Sequence, residues 1–162
     1  MDTALDQREL EMMFDKAVRE VTAQSAGIKL FPCSDPPEGE LCTVHIRFKR
    51  GFNTSISLCA NTSMFKRMAC KMVGMEEVTH QDLEDFSKEY FNLLCGRIAA
   101  ALFRETRIAS RFSLPMFYDG KFKPEGHEPQ FELNYFTDQR EGAQLTHHVP
   151  NSGLRAELAK AE

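Results

Sequence analysis

The sequence contains no run approaching the roughly 20 apolar residues that a membrane-spanning helix needs, so we expect no membrane span. Its first ten residues, MDTALDQREL, lack the basic and apolar regions of a secretory signal peptide. Together these two absences predict a cytoplasmic protein.

Clustered positive charge is also scarce. The formal net charge is −4 at pH 7, whereas binding to a nucleic-acid backbone relies on clustered Lys and Arg. One small group of basic residues, Arg47, Lys49 and Arg50, lies beside apolar residues of a predicted strand and is interpreted as a solvated edge. We therefore expect no nucleic-acid partner.

The cysteine pattern gives no disulfide framework. The five cysteines are odd in number and irregularly spaced, and none forms a C-x-x-C pair: Cys33, Cys42, Cys59, Cys70 and Cys95. Free thiols fit a reducing compartment, and thiolate zinc ligation is disfavoured. The sequence also contains no phosphate-binding glycine loop and neither a G-x-S-x-G nor an H-E-x-x-H motif, so none of these motifs indicates a catalytic site.

The length of 162 residues and an apolar content of 42% fit one globular domain, which we assign to residues 1–149, with a C-terminal tail at 150–162. Hydrophobic periodicity and turn residues predict helices over about 6–24, 61–74 and 80–105, strands over 41–49, 52–59, 108–118, 130–137 and 142–149, and loops over 31–40 and 119–129. This order predicts an α+β fold, a largely antiparallel sheet with long helices packed on one face.

The predicted helix over 80–105 carries an unusual polar stripe. Its start is marked by Thr79 and by a carboxylate three residues later, at Asp82. Most of its circumference is apolar, so we expect burial on nearly every side. Between two apolar arcs, Asp85, Glu89, Asn92 and Gly96 fall within about 60° of one another.

A solvated polar stripe is the simplest interpretation of these four residues. Asn and Gly, however, lower helix propensity by about 0.7 and 1 kcal/mol in a helix interior. Two such residues on one stripe favour a role other than stability.

The segment D-F-S-K-E-Y-F-N, from Asp85 to Asn92, followed 22 residues later by Pro115, resembles the D-x3-E-x2-N-x22-P signature of the CheC/CheX/FliY family of response-regulator phosphatases. The resemblance extends over about residues 10–149. Only one such helix occurs, because residues 61–74 hold no E-x-x-N, so the chain resembles single-site CheX rather than two-site CheC. The fold it implies is CheC/CheX-like.

The resemblance implies that the substrate is an aspartyl phosphate on a CheY-like receiver domain. Asn92 is then expected to orient the attacking water, and Glu89 to pair with the receiver's lysine. Asp85 is assigned a supporting role, and Pro115 is expected to shape the strand or turn behind the helix. For Gly96 two explanations stay open: close approach of a partner element, or packing in the core.

The resemblance also implies that the chain needs no cofactor of its own, because Mg²⁺ belongs to the receiver. It further implies a homodimer formed by pairing of sheet edges. The rival hypothesis is a non-catalytic CheX-like module that binds or scaffolds a receiver, in chemotaxis or related two-component signalling. The presence of both Glu89 and Asn92 favours the enzyme.

Other chemically capable residues are interpreted as structural. His147 and His148 are adjacent on a predicted strand and should point to opposite faces, which disfavours a shared metal ion. His45 and His80 have no Cys or acidic partner at ligand spacing. Cys95 lies beside the polar stripe but has no nearby histidine, so we expect a small core residue rather than a nucleophile.

Overall fold

The computed structural model describes residues 5–151. Within that range the chain forms three helices, α1 (Gln7–Ala26), α2 (Thr62–Val73) and α3 (His80–Thr106), and seven strands, β1 (Phe31–Cys33), β2 (Leu41–Arg50), β3 (Ser55–Asn61), β4 (Arg111–Phe112), β5 (Met116–Asp119), β6 (His127–Phe136) and β7 (Gly142–Pro150). No helix in the described part is long and apolar enough to cross a membrane.

The strands form an antiparallel sheet in the order β1-β6-β7-β3-β2-β4, and β5 also pairs with β2. Alternation places the apolar residues of the central strands, such as Val44, Ile56 and Leu145, on the face that carries the helices. The predicted α+β fold, an antiparallel sheet with helices on one face, is confirmed.

The helix ends follow from local chemistry. The Asp6 carboxylate accepts a hydrogen bond from the Glu9 N–H at the start of α1, and Gly27 ends it with φ of 65°. Asn61 occupies the cap position of α2, but its side chain makes no capping bond. Its amide instead donates to the Glu38 carbonyl, and its carbonyl accepts from the Gly142 N–H, so it joins two loops.

Three predicted boundaries are wrong. The loop predicted over 31–40 begins with strand β1, whose Phe31 stacks on Phe136 of the neighbouring strand. The strand predicted over 108–118 is two short strands, because Leu114 and Pro115 interrupt the pairing with β2. The loop predicted over 119–129 ends at residue 126, because β6 starts at His127. The tail beyond Asn151 lies outside the described residues.

The connection between β2 and β3 begins at Gly51. Gly51 has φ of 94°, and a Cβ there would lie 3.0 Å from the Ala109 carbonyl oxygen. Glycine is therefore required both by the backbone conformation and by the close approach of the chain segment between α3 and β4.

The sheet face opposite the helices is polar, and the β5–β6 loop crosses part of it. Phe122 in this loop stacks on Tyr118, with ring centroids 3.9 Å apart, and packs against His45. Thr43 on β2 donates a hydrogen bond to the Gly120 carbonyl. The loop therefore buries polar strand residues that would otherwise face water.

Three histidines of the sheet are buried. Burial lowers the pKa of His45 and of His147 to about 4 and, with the charges of neighbouring histidines, that of His148 to about 3. Each is therefore neutral in the native protein at pH 5, whereas an unfolded histidine has a pKa near 6.5.

We expect the protein to lose stability as the pH falls from 7 to 5. Over this window the unfolded chain binds protons that the three buried histidines do not, so the free energy of unfolding rises with pH. The loss should reach a few kcal/mol and be visible as a lower urea midpoint at pH 5. The variant His148→Gln should show a shallower dependence, and equal midpoints at pH 5 and 7 would contradict the assignment.

Candidate functional site

Helix α3 packs against the core along its 27 residues, with buried side chains from Leu83 to Thr106. A complete capping box fixes its start, in which Thr79 and Asp82 each accept from the other's backbone N–H at 3.1 Å. The buried Tyr90 hydroxyl shares a 2.6 Å hydrogen bond with Thr22 of α1. Because several core residues anchor this helix, side chains on its outer face project from a fixed backbone.

All four residues of the predicted stripe, Asp85, Glu89, Asn92 and Gly96, are exposed on the outer face of α3. The expectation that the helix is buried on nearly every side is wrong. Leu93, assigned to an apolar arc, is 51% exposed next to Asn92. Its neighbours Leu94 and Cys95 are fully buried. The core therefore contacts one side of the helix, and a broad face on the other side is open to solvent.

Glu89 and Asn92 are three residues apart, which places them on one face with their Cβ atoms about 5–6 Å apart. Within residues 5–151 neither side chain has a hydrogen-bond or ion-pair partner. Asp85, by contrast, accepts a 2.8 Å bond from the Gln81 amide one turn earlier. The carboxylate of Glu89 and the carboxamide of Asn92 are thus available to a partner.

Gly96 is exposed, and a Cβ built there would meet nothing within 4 Å. The core-packing explanation is therefore wrong, because no part of the described chain needs the space. Close approach of a partner element is the explanation that stays as a prediction.

We expect Gly96→Ala to raise the free energy of unfolding by about 1 kcal/mol, since Ala restores helix propensity at a site with room for it. Ala100→Gly, one turn later on the same exposed face, should lower it by a similar amount. Urea unfolding of both variants checks this. A destabilised Gly96→Ala would contradict the assignment of open space.

Pro115 lies at the sheet edge, in the interruption between β4 and β5. Two residues later Phe117 packs against His80 at the start of α3, and the His80 ring bonds Asp119 at 3.1 Å. In the described range no bond joins Pro115 to the face that carries Glu89 and Asn92. Its position fits the predicted shaping of the chain behind the helix, and its role stays a prediction.

The alternative chemical groups are buried or scattered. Cys95 is fully buried, and burial raises the pKa of its thiol well above the usual value, which disfavours a nucleophile. His147 packs on Phe14 in the core, whereas His148 approaches His45 on the opposite face. No cluster of three or more His, Cys, Asp or Glu that could hold a metal ion occurs among residues 5–151.

The sequence pattern does not predict one feature next to Glu89. A groove between the end of α2 and the start of α3 borders Glu89, and its apolar wall includes Val73 and Met75. Both flank Gly74, at the junction of two helices, where helical periodicity stops predicting which side chains are exposed. The glycine itself was the signal, because it marks the point where α2 ends.

The sequence matches the family described as "Chemotaxis phosphatase CheX" over residues 42–126, just over half of the chain. The chain belongs to the CheX family. The matched region runs from β2 to the end of the β5–β6 loop and contains all of α3. No curated protein matches the CheX-family chain described here.

Solved structures of CheX proteins have the same fold as this CheX-family chain. The CheX of Desulfovibrio desulfuricans matches with a TM-score of 0.70 and 19% identity, covering 86% of this chain and 97% of that one. The CheX of a CheX-CheY-BeF3-Mg²⁺ complex from Borrelia burgdorferi matches with a TM-score of 0.67 and 14% identity, covering 86% and 96%.

The FliY of Thermotoga maritima also shares the fold, with a TM-score of 0.63 and 14% identity, covering 97% of this chain and 96% of that one. At these identities the likeness establishes the architecture alone. The region that matches the family contains Glu89 and Asn92, and the structure adds that both side chains are exposed.

Proposed function

We propose that this CheX-family chain is a phosphatase that hydrolyses the aspartyl phosphate of a CheY-type receiver domain. The observation that carries the proposal is the pair Glu89 and Asn92, exposed and unpartnered one turn apart on a rigid helix. The family match and the fold shared with a CheX crystallised with CheY, BeF3 and Mg²⁺ support it.

The chemistry requires little from the phosphatase beyond positioning. An acyl phosphate is already activated, so its hydrolysis is limited by placing a water in line with the leaving carboxylate while charge on the phosphoryl group is stabilised. Asn92 suits the first task, because a carboxamide both donates and accepts hydrogen bonds and can fix the orientation of a water molecule.

Stabilisation of the phosphoryl charge is assigned to the receiver. This chain shows no acidic cage for Mg²⁺ among residues 5–151. In this proposal the metal ion and a lysine belong to the receiver, as the family resemblance implies. Glu89 reaches that lysine from the same face as Asn92, and the resulting charge-assisted contact fixes the orientation of docking.

The proposed roles of Asn92 in orienting water and of Glu89 in docking agree with the placement of both residues on a helix rather than a loop. A helix that is capped at its start and bonded to α1 through Tyr90 presents its side chains without prior ordering. Little backbone conformational entropy is then lost when the receiver docks, and the remaining cost is that of fixing the side-chain rotamers. The homodimer expected from the resemblance remains a separate prediction.

A decay assay tests the proposal. A panel of purified CheY-type receivers from the same genome is phosphorylated with a small-molecule phosphodonor, which is then removed. The wild-type chain should accelerate loss of the phosphoryl group from at least one receiver by 10-fold or more. Equal decay with and without the chain for every receiver would overturn the enzyme, and binding without acceleration would support the scaffold module.

A further inference from the structure

A groove of about 160 Å³ lies between the end of α2 and the first half of α3. Val73, Met75 and Val78 form an apolar side, and Asp82, Asp85 and Glu89 of α3 form an acidic side. Glu89 thus faces both this groove and the outer surface that carries Asn92. The groove is continuous with the proposed catalytic face.

The apolar side is open to solvent. Val73 is 53% exposed and Met75 is 47% exposed. Single exposed apolar residues are ordinary, but these two flank one glycine and line one groove. Gly74, with φ of 70°, ends α2 and turns the chain so that both side chains remain outside the core.

The charge around the groove is negative. Glu76 and Glu77, in the connection between α2 and α3, are also exposed and follow the groove residue Met75 directly in the chain. The nearby cation Lys88 is paired with Glu84 at 3.6 Å. A partner segment that enters the groove therefore meets apolar side chains on one side and the carboxylates of α3 on the other.

We propose that this groove receives one apolar side chain from the receiver's docking surface, flanked in the receiver by Lys or Arg, and that it decides which receivers are substrates. The inference rests on the proposed function, because Glu89 belongs to both surfaces. The size fits, since a cavity of about 150 Å³ with apolar walls holds a benzene molecule, so one Leu, Met or Phe side chain can be accommodated. The acidic rim selects a basic flank.

The test uses variants that change polarity with little change in shape. The double variant Val73→Thr/Met75→Gln should raise KM for the preferred phosphorylated receiver about 10-fold and leave kcat within about twofold. Both residues lie on the surface, so the fold should be retained. The charge variant Glu76→Lys/Glu77→Lys should also raise KM, and should reduce its dependence on salt.

Met12→Gln is the matched control. Met12 is 66% exposed on α1, and the depression that it lines faces Ala101 and Arg104 in the last turns of α3. A rise of 1.5 Å per residue places Ala101 about 24 Å along the helix from Asp85. This variant should leave both kinetic constants at the wild-type level.

The outcomes separate the two proposals. One outcome is that the wild-type chain accelerates decay and the groove variants have the same KM as Met12→Gln. The groove then has no part in recognition, so this inference is wrong, whereas the proposed phosphatase activity is retained. If wild type accelerates the decay of no receiver, the proposed function fails and the inference falls with it.

Discussion

Replacing Asn92 with alanine should lower kcat for receiver dephosphorylation by about 100-fold or more. Loss of a single well-placed hydrogen-bonding group in a preorganised site costs about 10²–10³ in kcat in other enzymes. Without the carboxamide, the attacking water is no longer held in line with the leaving carboxylate. Single-turnover decay of the phosphorylated receiver at saturating protein measures the effect.

The loss should come from chemistry and not from folding or docking. Asn92 is exposed and makes no bond within the described residues, and alanine has the higher helix propensity. The variant should therefore bind a BeF3-activated receiver as tightly as wild type does. Asn53→Ala is the matched control, because it deletes another exposed carboxamide, in the turn between β2 and β3. An unchanged kcat in Asn92→Ala would remove this residue from the mechanism.

Reversing the charge of Glu89 should weaken receiver binding by about 30- to 100-fold, equivalent to about 2–3 kcal/mol. A lysine at this position would face the receiver's own lysine, so an attraction becomes a repulsion. The expected change is in KM and in the dissociation constant for the activated receiver, with kcat at saturation altered far less than in Asn92→Ala.

Salt gives a second measurement of the same contact. The affinity of wild type should fall as ionic strength rises, and that of Glu89→Lys should fall less or increase. Glu105→Lys reverses an exposed carboxylate near the opposite end of α3 and should bind normally. If Glu89→Lys also binds normally, docking depends on other residues of the face.

Much of the fold follows from the sequence, because periodicity and end signals agree in the long elements. Helix α3 starts at the predicted pair Thr79 and Asp82, and α1 ends at Ala26, two residues beyond its predicted end. The errors occur where pairing partners decide the structure. Strand β1 consists of three residues including a proline, and only its pairing with β6 makes it a strand.

The sequence predicts which polar residues share a face of α3, but it does not predict how much of the helix surface is exposed. Helical geometry correctly placed Asp85, Glu89 and Asn92 on one face. It could not show that Leu93 also faces outward, because an apolar residue beside a core-facing position looks buried in sequence. The extent of the buried face depends on how α1 and the sheet approach α3, which is a tertiary property.

The spacing of Glu89 and Asn92 on one stiff helix has an evolutionary consequence. Each side chain projects independently from the same backbone, so substitution of one leaves the other in place. Under the proposed function, a descendant that kept the glutamate and lost the asparagine would still bind the phosphorylated receiver but would no longer hydrolyse its phosphate. A single codon change at position 92 would thus convert a phosphatase that ends the signal into a protein that binds the phosphorylated receiver and preserves its phosphate.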